Sequence, residues 1–153
     1  MRIYLGLGTN LGDKELNLRV AVQKIEERIG KVISLSAFYA TAPWGFQSDN
    51  NFLNAAAGVE TSLSPFDILE RTQRIEQEIG RLHKSHDGVY SDRLIDIDLL
   101  LYGDKILQHE RLSLPHPLMA ERKFVLEPLA EIAPDVVHPV LHKTIRELFL
   151  VLS

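Results

Sequence analysis

Apolar and polar positions recur along most of this chain with the period of either a strand or a helix. Arg2 to Gly8 reads as a first strand, running into a turn-rich stretch from Gly8 to Asp13. Lys14 to Arg28 has helical spacing, with Leu18, Ala21, Val22, Ile25 and Ile29 on one face, Asp13 as cap and Gly30 as stop. Lys31 to Ala40 predicts a second strand, in which Val32, Ser34, Ser36 and Phe38 oppose Ile33, Leu35, Ala37 and Tyr39. Phe52 to Leu63 predicts a third. Ser64-Pro65-Phe66-Asp67 opens a helix with Ser64 as N-cap and Pro65 at the first turn. That helix is expected to run to about Ile79 and stop at Gly80, with Ile68, Thr72, Ile75 and Ile79 as its core stripe. In Ile95-Asp96-Ile97-Asp98-Leu99-Leu100-Leu101-Tyr102 the apolar residues alternate with two aspartates, which is a strand again. A short return strand over Lys105 to Leu107, a helical stretch from Arg122 to Ile132, and a final helix complete the pattern. The last helix has a capping box at Thr144-Ile145-Arg146-Glu147, and Ile145, Leu148 and Val151/Leu152 are expected to close the core.

The chain has 153 residues, enough for one domain with its own core, and residues 1-153 read as a single, complete domain. Its 45% apolar and 25% charged content is ordinary for a globular protein. A formal net charge of −4 argues against a nucleic-acid partner, whose footprint is basic. There is no cysteine, which excludes disulfides, Cys-ligated zinc and iron–sulfur clusters and is compatible with a cytoplasmic location. Neither the apolar run at the N-terminus nor that from Leu148 to Leu152 reaches signal-peptide or membrane-spanning length, so no membrane partner is expected.

Side chains two apart on a strand share a face, so Asp96 and Asp98 point the same way. Their Cα atoms lie roughly 6.6 Å apart, two strand rises. Carboxylates that close repel one another unless a positive charge intervenes. A hard divalent cation meets that need, and Mg²⁺ with a phosphate substrate is the commonest arrangement. Arg93, just before the pair, suits phosphate oxygens. An isolated Asp-x-Asp is by default only a solvated acidic face, and its neighbours decide.

Those neighbours are suggestive. Arg81 to Asp92 is a 12-residue segment without a period, and it carries Arg81, His83, Lys84 and His86. Segments of that length inside a domain are commonly functional, and this one delivers the chain to Arg93 and the aspartates. His83-x-x-His86 has no third zinc ligand nearby. Arg111, His116 between two prolines, and Arg122 supply further phosphate-binding chemistry. The only tryptophan, Trp44, lies on a loop beginning at Thr41 and is either a lid or a plug of the core. Gly6-x-Gly8-x-x-x-Gly12 lacks the spacing of a dinucleotide fingerprint and reads as a structural turn. His138 and His142 suggest no chemistry.

Seven motifs, in order, resemble one family. They are Gly8-Thr9-Asn10-Leu11-Gly12; Phe38-Tyr39-x-Thr41-x-Pro43-x-Gly45; Phe52-Leu53-Asn54-Ala55-Ala56; Gln73-x-Ile75-Glu76 with Gly80-Arg81; Arg93-x-x-Asp96-Ile97-Asp98-x-Leu100; Arg111-Leu112-x-Leu114-Pro115-His116; and Arg122-x-Phe124-Val125-Leu126-x-Pro128-Leu129. The family is 6-hydroxymethyl-7,8-dihydropterin pyrophosphokinase, which transfers pyrophosphate from ATP to a pterin alcohol in folate biosynthesis and releases AMP. The resemblance implies an α/β (α+β) fold: a ferredoxin-like sandwich with a central, mainly antiparallel sheet, helices over one face, and mobile loops over the site.

Carried to this chain, it implies that Asp96 and Asp98 hold two Mg²⁺ ions on the ATP phosphates. Thr41, Ala42, Pro43, Trp44 and Asn54 would bond the pterin edge, and Phe52 and Phe124 would sandwich its ring. Leu69, Gln73, Glu76, Leu99, Arg111 and Ser113 would line the nucleotide pocket. Arg81, His83, Arg93, His116 and Arg122 fall at or near the triphosphate. Arg81, His83 and Arg93, with the two aspartates, are the catalytic candidates. For the general base, metal coordination of the hydroxyl and Asp96 both stay open. A monomer acting on small-molecule substrates is expected.

Three departures from the family pattern stand out. Arg-x-Arg becomes Arg81-Leu82-His83, which makes one permanent charge titratable. Val89-Tyr90-Ser91-Asp92-Arg93 replaces Trp-Gly-Pro-Arg in a segment about two residues longer, so this loop is expected to close less firmly on ATP. Ala42 stands where the family often has another residue, at a contact expected to be made by backbone. Two other readings use the same residues: a non-catalytic small-molecule-binding domain of ferredoxin-like type, and a metal-dependent nuclease, which the net charge disfavours.

Overall fold

The computed structural model describes residues 1–41, 51–82 and 94–153, excluding the side chains of Arg81 and Leu82. Strand β1 (Arg2–Thr9) leads into helix α1 (Lys14–Arg28), whose first turn is capped by the Asp13 carboxylate accepting the Leu16 N–H at 3.1 Å. Strands β2 (Lys31–Leu35) and β3 (Tyr39–Thr41) follow, then β4 (Phe52–Glu60) and helix α2 (Pro65–Leu82). Strand β5 (Asp96–Tyr102) carries the aspartates. A small hairpin of β6 (Leu107–Gln108) and β7 (Ser113–Leu114) precedes the cis Leu114–Pro115 bond. Helix α3 (Lys123–Ile132) and helix α4 (Ile145–Leu152) complete the described chain.

The main sheet has the order β2-β4-β1-β5, with β3 continuing beside β4, and every pairing is antiparallel. With α1 after β1 and α2 after β4, this is the strand–helix–strand–strand–helix–strand arrangement of a ferredoxin-like sandwich. Ile3, Leu5 and Leu7 of β1, Ala55, Ala57 and Val59 of β4, and Ile97 and Leu99 of β5 form one core with Leu18, Ala21 and Ile25 of α1 and Ile68, Ile75 and Ile79 of α2. Burying each large aliphatic side chain fully stabilises the fold by about 1.5–3 kcal/mol. A second core lies on the opposite face, where Tyr4, Ala56, Leu100 and Leu101 meet Met119, Leu126, Leu129, Ile145 and Leu148. Helices therefore cover both faces, not one as the resemblance implied.

Several expectations are corrected. Gly80 does not stop α2, which runs on to Leu82, because an isolated helical glycine costs only about 1 kcal/mol. The predicted strand Lys31 to Ala40 is interrupted at Ser36–Phe38, and the strand predicted from Phe52 to Leu63 ends at Glu60. The return strand begins at Leu107 and not at Lys105. Val151 and Leu152 are 73% and 39% exposed, so the last helix closes the core with Ile145 and Leu148, with Phe149 packed beside them. Leu101 changes face. Tyr4 pairs with Leu101 but Leu5 pairs with Leu99, so Leu100 is an extra residue in β5, and beyond it the side-chain parity flips.

Candidate active site

The candidate site residues lie on the second face of the sheet, the face that also packs against α3 and α4. Gly8 of β1 lies between Asn54 of β4 and Asp96 of β5, and Gly6 lies between Ala56 and Asp98. Residues paired across strands share a face, so Asn54, Asp96 and Asp98 lie on the face of the central strand that carries Gly6 and Gly8. A Cβ at Gly8 would lie 2.9 Å from Asn54 Oδ1, so any side chain there must displace that amide. Both aspartates are half-buried, and Ile97 between them anchors the strand in the opposite core.

Glu76 reaches this edge from α2. Its Oε2 accepts the Ile97 N–H at 2.7 Å. Burial pushes its carboxyl up to about 7 against the pull of that hydrogen bond, and the Asp96 and Asp98 charges push the same way. The Gln73 side chain is exposed one turn earlier on α2, Leu69 packs on the first core, and Leu99 is buried within it.

The pterin-side candidates form a connected group. Tyr39 pairs with Asn54, and Thr41 pairs with Phe52. The Asn54 side-chain amide is buried and donates to Thr41 Oγ1 at 2.9 Å. Phe52 and Phe124 are both half-buried; Phe124 opens α3, with the Arg122 guanidinium 5.7 Å from its ring centroid.

The proline-flanked histidine is placed by its backbone: the His116 N–H donates to the Leu100 carbonyl at 2.9 Å, which holds the segment against β5. His116 Nδ1 accepts the Leu118 N–H at 3.2 Å, so in the neutral ring the proton sits on Nε2. Burial lowers the His116 pKa, the Arg122 charge lowers it further, and the Asp96 charge acts against them. These couplings put His116, Arg122 and Asp96 in one electrostatic neighbourhood. Ser113 is half-buried on β7, and Arg111 is exposed beside it. A cavity of about 550 Å³ runs along this segment, lined by Ser113 and His116 together with Ile106, Val140 and Leu141; Asn54, Asp96 and Asp98 do not line it.

Ala42, Pro43, Trp44, His83 and Arg93, and the side chain of Arg81, lie outside the described residues, as do the departures at Val89 to Asp92. Gly6 and Gly8 lie inside β1, as the strand predicted from Arg2 to Gly8 requires. Sequence reasoning took their motif as a structural turn and missed their place beside Asn54 and the aspartates; the available signal was glycine at alternate positions of that strand. It also missed Asn17. This buried amide donates to Leu11 O at 3.0 Å and to Thr9 Oγ1 at 3.4 Å, while Thr9 Oγ1 donates to Leu94 O two residues before Asp96.

The family model for 7,8-dihydro-6-hydroxymethylpterin-pyrophosphokinase (HPPK) matches residues 4–134. A 2-amino-4-hydroxy-6-hydroxymethyldihydropteridine pyrophosphokinase of Porphyromonas gingivalis is 49% identical over 139 residues, covering 90% of this chain and 93% of the relative. Proteins of the same name from Bacillus subtilis and Aquifex aeolicus are 42% and 39% identical, covering 87% and 95% of this chain and 78% and 88% of the relatives. A crystal structure of HPPK-DHPS from Plasmodium falciparum superposes with a TM-score of 0.78 at 19% identity, over 99% of this chain and 44% of that one. This chain thus spans under half the length of that solved protein, and at that identity the likeness concerns the fold. The chain belongs to the 7,8-dihydro-6-hydroxymethylpterin-pyrophosphokinase family.

Proposed function

We propose that this chain transfers pyrophosphate from ATP to the hydroxymethyl group of 6-hydroxymethyl-7,8-dihydropterin, releasing AMP; the names of its relatives, pyrophosphokinases of a hydroxymethylpterin, support the transferred group and the acceptor. The observation that carries the reading is the row of Asn54, Asp96 and Asp98 facing the bare backbone of Gly8 and Gly6. It sets an amide suited to the polar edge of a flat substrate beside two carboxylates suited to the phosphate end.

Phosphoryl-type transfer needs positioning and charge neutralisation more than covalent help. Phe52 and Phe124 hold the ring by stacking, and Asn54 and Thr41 bond its polar edge. Ala42, Pro43 and Trp44 are assigned to the same edge by their motif. His116, as the Nε2–H tautomer, and Arg122 donate to phosphate oxygens. Arg81, His83 and Arg93 are assigned to the triphosphate by motif, and Leu69, Gln73, Glu76, Leu99, Arg111 and Ser113 to the nucleotide.

The donor set fits a hard cation: Asp96 and Asp98 present two half-buried carboxylates on one face of β5. Asp96 and Asp98 are the residues that would hold Mg²⁺, two ions in this reading, and bound Mg²⁺ supplies charge neutralisation on the reacting phosphates. The pterin hydroxyl attacks the β-phosphorus in line; the new O–P bond forms as the bond to the α-phosphate oxygen breaks, and the hydroxyl proton is lost. Residues 1–153 are read as one pyrophosphokinase domain, monomeric and cytoplasmic. Among the described residues no helix is long and apolar enough to cross a membrane.

The test is AMP formation from ATP and Mg²⁺ with and without the pterin. AMP is expected only with the pterin, and Asp96→Ala should reduce the rate by on the order of 10³-fold. AMP formed equally without the pterin, or an unimpaired Asp96→Ala, would sink the reading.

A further inference from the structure

The connection between β2 and β3 is irregular in a purposeful way. Leu35 faces Ala57 and Tyr39 faces Asn54, so four steps on one strand match three on the other. This extra residue reverses side-chain parity. Phe38 packs on the first core, and Tyr39 turns to the opposite face, where α3 lies. Ser36 pins the irregular stretch to β4: its N–H donates to the Ala56 carbonyl at 2.9 Å, and its Oγ accepts the Ala56 N–H at 2.9 Å.

The other side of the stretch is held by Glu131. Its two carboxylate oxygens accept the Ala37 N–H at 3.1 and 3.2 Å, and the Tyr39 hydroxyl donates to Oε1. The Tyr39 phenol is pushed up to about 12, first by that bond and then by burial. Glu131 stands on the same helix as Phe124, about two turns further on. The apolar contacts of α3 are made by Leu126 and Leu129, with Val125, Ala130 and Ile132 beside them, so Glu131 adds a polar tie to a helix already seated by apolar packing.

We infer that Glu131 is a positioning residue for the pterin: by clamping Ala37 and Tyr39 to α3, it sets the spacing between Thr41, Phe52 and Asn54 on the strands and Phe124 on the helix. The inference rests on the pyrophosphokinase reading and on Phe52 and Phe124 as its ring sandwich. A flat ring held between two aromatic faces tolerates little change in their separation, and the Asn54–Thr41 bond must lie in the plane of that ring. A carboxylate that accepts from one strand's backbone and side chain while anchored on the facing helix fixes that distance.

The experiment uses the full chain and three variants: Glu131→Ala, Glu131→Gln and Tyr39→Phe. KM for pterin and for ATP are read from AMP formation, pterin Kd from the pterin's own fluorescence, and Tm from unfolding. Glu131→Ala is expected to raise pterin KM and Kd about tenfold while ATP KM moves less than about twofold. Glu131→Gln should recover to within about threefold of wild type, because its amide oxygen still accepts the Ala37 N–H and its NH₂ faces the phenol oxygen. Tyr39→Phe keeps the Ala37 bonds and should fall between them. It also decides the matter if Glu131→Ala does not fold. An active wild type whose variants leave the ratio of the two KM values unchanged, whatever happens to Tm, overturns the clamp alone. A wild type that neither binds pterin nor forms AMP with it overturns the functional reading, and the clamp with it.

Discussion

The two faces of β1 were made by the same alternation and have opposite uses. Ile3, Leu5 and Leu7 enter the core under α1 and α2, and that core runs unbroken across Ala55, Ala57, Val59, Ile97 and Leu99. The alternate positions are Tyr4, Gly6 and Gly8. Tyr4 joins Leu100 and Leu101 under α3 and α4, but from Gly6 onward the face turns polar, to Asn54, Asp96 and Asp98. Backbone pairing is as regular at Gly8 as at Leu7. What differs is that one face is lined by aliphatic side chains, while the other, along Gly6 and Gly8, is bordered by Leu100, Asn54 and the two aspartates. The first face stabilises the sheet, and the stiffness of that sheet holds the carboxylates and the amide of the second in place.

The comparison predicts separable defects. Leu5→Ala empties a fully buried position of the apolar face and is expected to cost about 2–5 kcal/mol in urea unfolding, with kcat/KM near wild type where the variant is folded. A loss of turnover in the folded variant would mean that the faces are mechanically one. Gly8→Ala should do the reverse. Its Cβ, 2.9 Å from Asn54 Oδ1, must displace the amide from Thr41, so pterin KM is expected to rise about tenfold. Stability should change little, since alanine in a strand is favoured over glycine by about 0.5–1 kcal/mol. Gly6→Ala meets only the end of the Leu100 side chain, at 3.3 Å, and should be milder. Equal effects of the two glycine substitutions on pterin binding would count against Asn54 as the sensitive neighbour.

Most of the apolar face was legible in the sequence, because period is a local property. The stripes Leu18, Ala21, Ile25 and Ile68, Thr72, Ile75, Ile79 are buried as the spacing predicts. Asp96 and Asp98 were legible as a pair on one face for the same reason. The polar face was not, because its making depends on partners. An extra residue at Leu100 or between Leu35 and Tyr39 exists only relative to the strand beside it, and no single-strand period reveals it. Gly6 and Gly8 carry no side chain to join a pattern, so their place between Asn54, Asp96 and Asp98 emerged only from the register. His138 illustrates the opposite error of reach. The sequence suggested no chemistry for it, but it is buried and its Nδ1 accepts the Val140 and Leu141 N–H groups, a turn-holding role that its sequence neighbourhood does not announce.

The smallest effect is expected at the outer rim of the apolar face, and it tests whether charge or burial holds that face closed. Glu78 of α2 accepts hydrogen bonds from Lys24 and Arg28 of α1, tying together the two helices that cover the core. The Arg28 and Lys24 bonds hold its carboxyl at about 2, below the ordinary value of 4.5. A carboxylate with a lowered folded pKa contributes stability that is present above 4.5 and is lost as pH falls towards about 2. Glu78→Gln should therefore lower Tm slightly at pH 7, and the gap from wild type should close as the pH is taken down through that window. All three side chains are partly exposed, so salt should shrink the gap as well. If the gap at pH 7 instead approached that of Leu5→Ala, the ion pair and not the buried aliphatic surface would be the main fastening of α1 to α2.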